Sequence, residues 1–202
     1  MKTLLTLFTL AAMAPGLMKG YPQATPAVQA DVEKAIKLVQ AGTSNDAQAY
    51  KLVEPAARKG NRAALFLMGY FSYFGRGGQQ RDYTKALPPL TKAADLGYPG
   101  ALRLLGAMYF NAEGAPRDLP RGYAYIKLAE VMGDPLAKRW SAQANNSLTR
   151  ENLATAHTQA VAWVKRHAFQ DAAEQKRLVG VLDAKDAFKK TAPDTVVPVK
   201  VH

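Results

Sequence analysis

Apolar residues recur at steps of four and three in two stretches of this chain, and the stretches match each other. Ala64, Met68 and Phe71 form the first set, and Ala101, Leu105 and Met108 the second. Such steps bring three side chains onto one face of an α-helix. Behind each set lies a glycine-containing turn, Gly75 and Gly77 in one case and Gly114 in the other, and then a second helical stripe. Ala86, Leu90, Ala93 and Ala94 carry that stripe in the first case. Asp82 and Asp118 stand where a helix N-cap is needed, since a carboxylate there accepts from free backbone N–H groups. Pro120 sits in a first helical turn, where its missing N–H is harmless.

The unit repeats. Gly60, Gly97 and Gly133 each close an apolar, basic stretch, at spacings of 37 and 36 residues. Gly69 and Gly106 each come nine residues after one of these, and Asn45, Asp82 and Asp118 each come fifteen before the next. The one-residue difference in period falls between Gly69 and Asp82, in the turn Gly75-Arg76-Gly77-Gly78, where an extra residue costs little. Each unit reads as two helices that cannot bury their stripes alone, so neighbours must stack. Small residues at matched positions (Ala64, Ala101 and Ala137; Gly69 and Gly106; Ala93 and Ala129) allow the helices to approach closely.

Leu105-Gly106-x-x-Tyr109, followed by Gly114, Asp118 and the Ala129–Gly133 ending, resembles the Sel-one-like repeat, a relative of the tetratricopeptide repeat. The preceding copy resembles it through Met68-Gly69, Gly75-x-Gly77, Asp82, Lys85-Ala86 and Lys92-Ala93-Ala94 to Gly97. Asn45 to Gly60 looks like a second half-repeat, and Asp134 to about Ala142 like the opening of another. The resemblance implies an all-α fold, a right-handed solenoid of about three stacked helix pairs that serves as an interaction scaffold. Pro55 and the pair Pro88-Pro89 depart from the pattern, and each predicts a kink in a second helix.

Both ends differ from the repeats. Leu4 to Ala14 is an apolar run behind Met1-Lys2, of signal-peptide length and too short to span a membrane. Residues 1–30 are therefore assigned to a signal peptide and leader, with candidate cleavage sites near Ala14, Ala27 and Ala30, and the product is expected to be periplasmic or secreted. Residues 31–148 form the solenoid. Residues 149–190 are read as C-terminal capping helices: Thr149 can cap a helix bearing Leu153, Ala156, Ala160, Trp163 and Val164, and Leu178, Val181, Leu182 and Phe188 mark a further segment. Residues 191–202, with Pro193 and Pro198, are expected to be a disordered tail.

Charge and composition narrow the chemistry. Lys and Arg number 27 against 16 acids, a net charge of +11, and loss of the leader would remove only Lys2 and Lys19 from it. A basic surface favours an acidic protein partner, while export and the scatter of charge disfavour nucleic acid. There are no cysteines, which excludes disulfides, thiol nucleophiles and lipoprotein anchoring. His157, His167 and His202 are too dispersed for a catalytic or metal-binding set, and no nucleophile-elbow, phosphate-loop or zinc-protease motif occurs. No enzyme activity, cofactor or metal is expected, and a monomer is. Some exported Sel-one-like proteins are linked to penicillin binding or hydrolysis, but they carry a disulfide in each repeat that this chain cannot form.

The resemblance also suggests where a partner would bind, since in such solenoids the first helices of successive units line the concave surface. Counting from Ala64, the face turned away from the Ala64, Met68 and Phe71 stripe carries Phe66, Tyr70 and Tyr73. The next copy offers Arg103, Ala107 and Phe110 there, and the third Arg139, Gln143 and Asn146. Aromatic side chains and arginine are the residues interface hot spots favour, so Phe66, Tyr70, Tyr73, Arg103, Phe110 and Arg139 are the candidate partner-binding residues. The same spacing also fits packing of Phe66 and Tyr70 against neighbouring helices. Three functions fit this outline: a protein-binding module, in its sharpest form an immunity protein that neutralises a secreted antibacterial effector; an envelope or peptidoglycan-associated regulator; and an enzyme, for which no residue set speaks.

Overall fold

The computed structural model describes residues 25–167, 172–184, 187–191 and 198–201. The apolar run Leu4–Ala14 and the cleavage site near Ala14 lie outside them. Among the described residues the elements are all helical: α1 Pro26–Ala41, α2 Asp46–Arg58, α3 Arg62–Phe74, α4 Tyr83–Asp95, α5 Pro99–Asn111, α6 Leu119–Val131, α7 Ala137–Asn145, α8 Arg150–Arg166 and α9 Ala172–Leu182. N-cap side chains start α1, α3, α4, α6 and α8, while the N-cap residues of α2, α5 and α7 make no such bond. The fold is all-α, as the repeat pattern implied. Ala27 and Ala30, read as possible cleavage sites, lie inside α1, so the helical array starts within the segment assigned to the leader.

The matched sequence positions occupy matched structural ones. Asp82 accepts from the Lys85 amide at 2.9 Å and Asp118 from the Arg121 amide at 2.9 Å, capping α4 and α6 alike. Asn61 caps α3 by accepting from the amides of Ala63 and Ala64. Gly60, Gly97 and Gly133 all have left-handed backbones, with φ of 80°, 73° and 89°. Each closes its helix with the same pair of bonds. At Gly97, its own N–H reaches the Ala94 carbonyl at 2.7 Å and the Tyr98 N–H reaches that of Ala93 at 2.9 Å. Glycine is needed because this pairing puts the residue after the cap at positive φ.

Helices α1 and α2, α3 and α4, and α5 and α6 pack as successive hairpins; α7 adds to α6, α8 lies on α6, and α9 packs against α8. One continuous core runs through the array, with Leu67, Phe71, Leu90, Leu104, Leu105, Met108, Ile126 and Leu128 fully buried. A very close contact in it is between α5 and α6. A Cβ on Gly106 would stand 2.5 Å from Ile126 Cγ1 and 2.8 Å from the Gly122 carbonyl, and one on Gly122 would stand 2.8 Å from the Gly106 carbonyl. Two glycines facing each other thus let the backbones touch.

The prolines do not break their helices. Helix α2 runs through Pro55, and α4 through Pro88 and Pro89. Ala86, Leu90, Ala93 and Ala94 are buried on the inner face of α4, while Pro88 is exposed, so inner-face packing offsets the lost backbone bonds. Pro88→Ala restores a donor to an exposed turn. It should stabilise the fold by about 1–2 kcal/mol, because the interior penalty of proline exceeds its restriction of the unfolded chain. A melting temperature that falls would show that the helix is built around the ring.

Candidate functional site

The first helices of the pairs, α3, α5 and α7, carry the residues that the sequence put forward for partner binding, and packing has claimed most of them. Phe66 and Phe110 are buried, and Phe66 stacks on Tyr98 with ring centroids 4.7 Å apart. Tyr70 and Tyr73 are buried as well. Arg103, expected at the surface of a groove, is instead only 2% exposed. Its Nε donates to Asp134 Oδ1 at 2.9 Å, and its guanidinium lies 4.6 Å from the centre of the Trp140 ring. Arg139 alone of the six is exposed. Helix α5 explains the difference, because it is buried on every side from Pro99 to Met108, leaving no outward face for a stripe to occupy.

Two buried polar clusters order this region. Arg76, in the turn after α3, grips Asp46 at the start of α2 with both Nε and Nη2, at 2.5 and 2.9 Å, and also donates to the Tyr70 hydroxyl. Two donors in a planar fork match a carboxylate, which fixes the angle between the first and second repeats. Burial raises the Tyr70 pKa, partly offset by the Arg76 charge. In the second cluster the Tyr73 hydroxyl donates to Glu113 Oε2 at 2.6 Å, and burial first, then Glu113, push its pKa well up. Asn111, the last residue of α5, donates to the same Glu113 oxygen at 3.4 Å.

The chain after α9 completes the site. Residues 191–202, expected from sequence to be a disordered tail, pack on the first helices at Thr191 and Val201, and Lys189 and Lys190, expected to belong to a capping helix, pack there outside any helix. Val201 is fully buried, its N–H donating to Asn111 Oδ1 at 3.2 Å and its carbonyl accepting from Asn111 Nδ2 at 3.1 Å. Asn145, the last residue of α7, is also buried. It donates to the Lys189 carbonyl at 3.1 Å and accepts from the Thr191 N–H and hydroxyl, both at 2.9 Å. Lys190 Nζ donates to the carbonyls of Leu148 and Asn145 at 2.7 and 2.9 Å, placing a cation where the α7 dipole ends negative. Phe188 meets Tyr123 edge-on at 5.8 Å. The Tyr123 hydroxyl accepts from Asn145 at 3.3 Å, and burial pushes its pKa up to about 12.

Asn111, Glu113, Asn145, Lys190, Thr191 and Val201 are residues that sequence reasoning missed. The usable signals were slight: an asparagine closing each of two first helices, and the alternation Val199-Lys200-Val201, which suits an extended chain. The residues that were singled out and those that were missed meet at one place, since Tyr73 reaches Asn111 through Glu113.

No model of a known protein family matches the chain. Solved structures resemble it, among them the following two. A protective antigen of uropathogenic Escherichia coli, described as displaying an SLR fold, aligns with a TM-score of 0.65 at 22% identity, over 84% of this chain and 35% of that one. A Sel1 repeat protein from Oxalobacter formigenes aligns with a TM-score of 0.50 at 22% identity, over 81% and 66%. Among curated proteins, the ERAD-associated E3 ubiquitin-protein ligase component HRD3A of Arabidopsis thaliana is 43% identical over 65 residues, which is 32% of this chain and 10% of HRD3A. The related component HRD3B of the same plant is 31% identical over 121 residues, 59% and 19% of the two chains. The chain thus spans between a tenth and a fifth of the curated relatives it matches. The structural likenesses show the fold that the motif announced, a Sel-one-like repeat α-solenoid.

Proposed function

We propose that this solenoid is an exported interaction scaffold that binds another protein at the ends of α5 and α7, where Asn111 and Asn145 close their helices. The observation that carries the reading is the engagement of Asn111 and Asn145 with main-chain groups of Val201 and of Lys189 and Thr191. A surface built from repeated helix pairs, with side-chain amides aimed at main chain, is suited to holding polypeptide. Its chemistry is donation and acceptance of hydrogen bonds. The excess of basic residues favours a partner with an acidic surface and a fast, salt-sensitive encounter.

Within that reading, the apolar segment Leu4–Ala14 supports export, and small size, export and basic charge together support an immunity protein that neutralises a secreted effector. Two experiments bear on this. A fusion of residues 1–35 to an export-dependent reporter should be active, and a full-length protein that stays in the cytoplasm with its N-terminus intact would sink the export step. Affinity capture with the exported form should recover one dominant acidic protein, released by raised salt. Recovery of peptidoglycan fragments in its place would favour the envelope-regulator reading.

A further inference from the structure

We infer that residues 187–191 and 198–201 act as an internal ligand of the scaffold, and that a partner docks by placing an extended stretch of its own chain, anchored by one β-branched side chain, where Val201 now lies. The inference rests on the scaffold reading above and adds the site, the conformation and the anchor of the docked segment.

Asparagine side chains carry the argument. A primary amide has one acceptor oxygen and a donor nitrogen, so it can pair with a main-chain N–H and C=O as a neighbouring strand would. Asn111 makes both bonds to one residue, Val201, the pattern of an antiparallel strand pair. Asn145 takes the carbonyl of Lys189 and the N–H of Thr191, two residues apart, the pattern of a parallel pair. Both asparagines close a first helix of the solenoid, and each spends donor and acceptor on the returning segment.

Bonds to main chain read conformation and ignore side-chain identity, so nothing in them is particular to this segment. The side chain that is read at Asn111 is Val201, which joins the core, whereas Lys200 beside it is exposed. Any extended chain with a β-branched residue in that position can make the same contacts at Asn111. Glu113, which accepts from the Tyr73 hydroxyl, also accepts from the Asn111 Nδ2 that donates to the Val201 carbonyl, and so helps to orient that amide.

A tethered ligand competes at an effective concentration of about a millimolar, so the scaffold should look like a weak binder until the segment is displaced. This gives the test. A fluorescein-labelled synthetic peptide spanning residues 195–202 is titrated onto the full chain by fluorescence anisotropy. Val201→Asp in the full chain opens the site, because a carboxylate cannot enter the buried position; Val201→Ala is the milder substitute if the aspartate variant melts early. The opened chain should bind the peptide at least about tenfold more tightly than the unaltered chain, as release of a tethered competitor requires. Adding Asn111→Ala to the opened chain should take that gain away. In the unaltered chain, Asn111→Ala alone should speed hydrogen exchange at the Val201 amide.

Equal peptide binding by the unaltered and opened chains would overturn the internal ligand. Absence of binding by both opened variants would overturn the docking site, and binding indifferent to Asn111→Ala would overturn the clamp. A concentration-dependent dimer lost on Val201→Asp would show that the segment belongs in a second copy, which also overturns it. Partner capture undiminished in an opened chain that ignores the peptide would sink this inference and leave the scaffold reading standing. Peptide binding with no captured protein would do the reverse.

Discussion

Gly106→Leu should destabilise the fold by about 3 kcal/mol or more, the upper range for forcing volume into a packed contact. At roughly 2–4 °C per kcal/mol for a chain of this length, melting should fall by about 10 °C. The cause is that the first atom of any side chain already has no room. A Cβ at Gly106 stands 2.8 Å from the Gly122 carbonyl oxygen and 3.0 Å from the Ile126 nitrogen, and both are backbone atoms of a helix held on its other side. Relief requires α5 and α6 to separate, which breaks the contact that stacks the repeat. Gly180→Leu is the matched control, because nothing lies within 4 Å of a Cβ there and α9 gains a better helix former. Thermal melting followed by circular dichroism decides the matter. Equal melting of the Gly106 variant and the parent would mean that the two helices do not cross at their glycines.

Arg103→Ala should cost about 3 kcal/mol, the lower end for stripping one partner from a buried ion pair. The side chains of Arg103 and Asp134 are 3% and 6% exposed, so the abandoned carboxylate cannot turn to water. The loss stays at the lower end because Asp134 Oδ1 also accepts from the amides of Leu136 and Ala137, both at 2.9 Å, at the start of α7. Asp134→Asn keeps an oxygen for those amides and removes the charge. Combined with Arg103→Met, which keeps the stem against Trp140, it should recover most of the stability, and the double-mutant cycle should show coupling of more than about 1 kcal/mol. Independent, additive losses would mean the pair contributes nothing as a pair. The consequence for binding studies is direct. Charge reversal at Arg103 reports on folding, whereas Arg139→Glu, on an exposed side chain, reports on partner association.

Comparing residues that behaved as their pattern implied with those that did not separates what is local from what is not. Asp82, Asp118, Gly60, Gly97 and Gly133 could be placed from sequence because capping and helix closure involve bonds spanning two to five residues. Gly69 and Gly106 could be placed because a repeat must approach its neighbour closely at the same point each time. Together these determine an all-α stack of helix pairs and its family likeness. Continuity through Pro88 and Pro89 was not legible, since the packing of Ala86 and Leu90 on other helices outweighs the local rule.

By itself, then, the sequence determined the paired helices of the repeats, α3 to α6, with their caps and order, because each follows from period, caps and turn residues within one unit. Only the tertiary structure decided which side of a helix meets water. The step of three and four that groups Phe66, Tyr70 and Tyr73, or Arg103 and Phe110, puts them on a common face and says nothing of what covers it. Asp134 covers Arg103 from 31 residues away, and Glu113 covers Tyr73 from 40. The docking of Val201 on Asn111 joins residues 90 apart. A bond of that span exists only when the intervening helices have stacked, so no window along the chain could contain it.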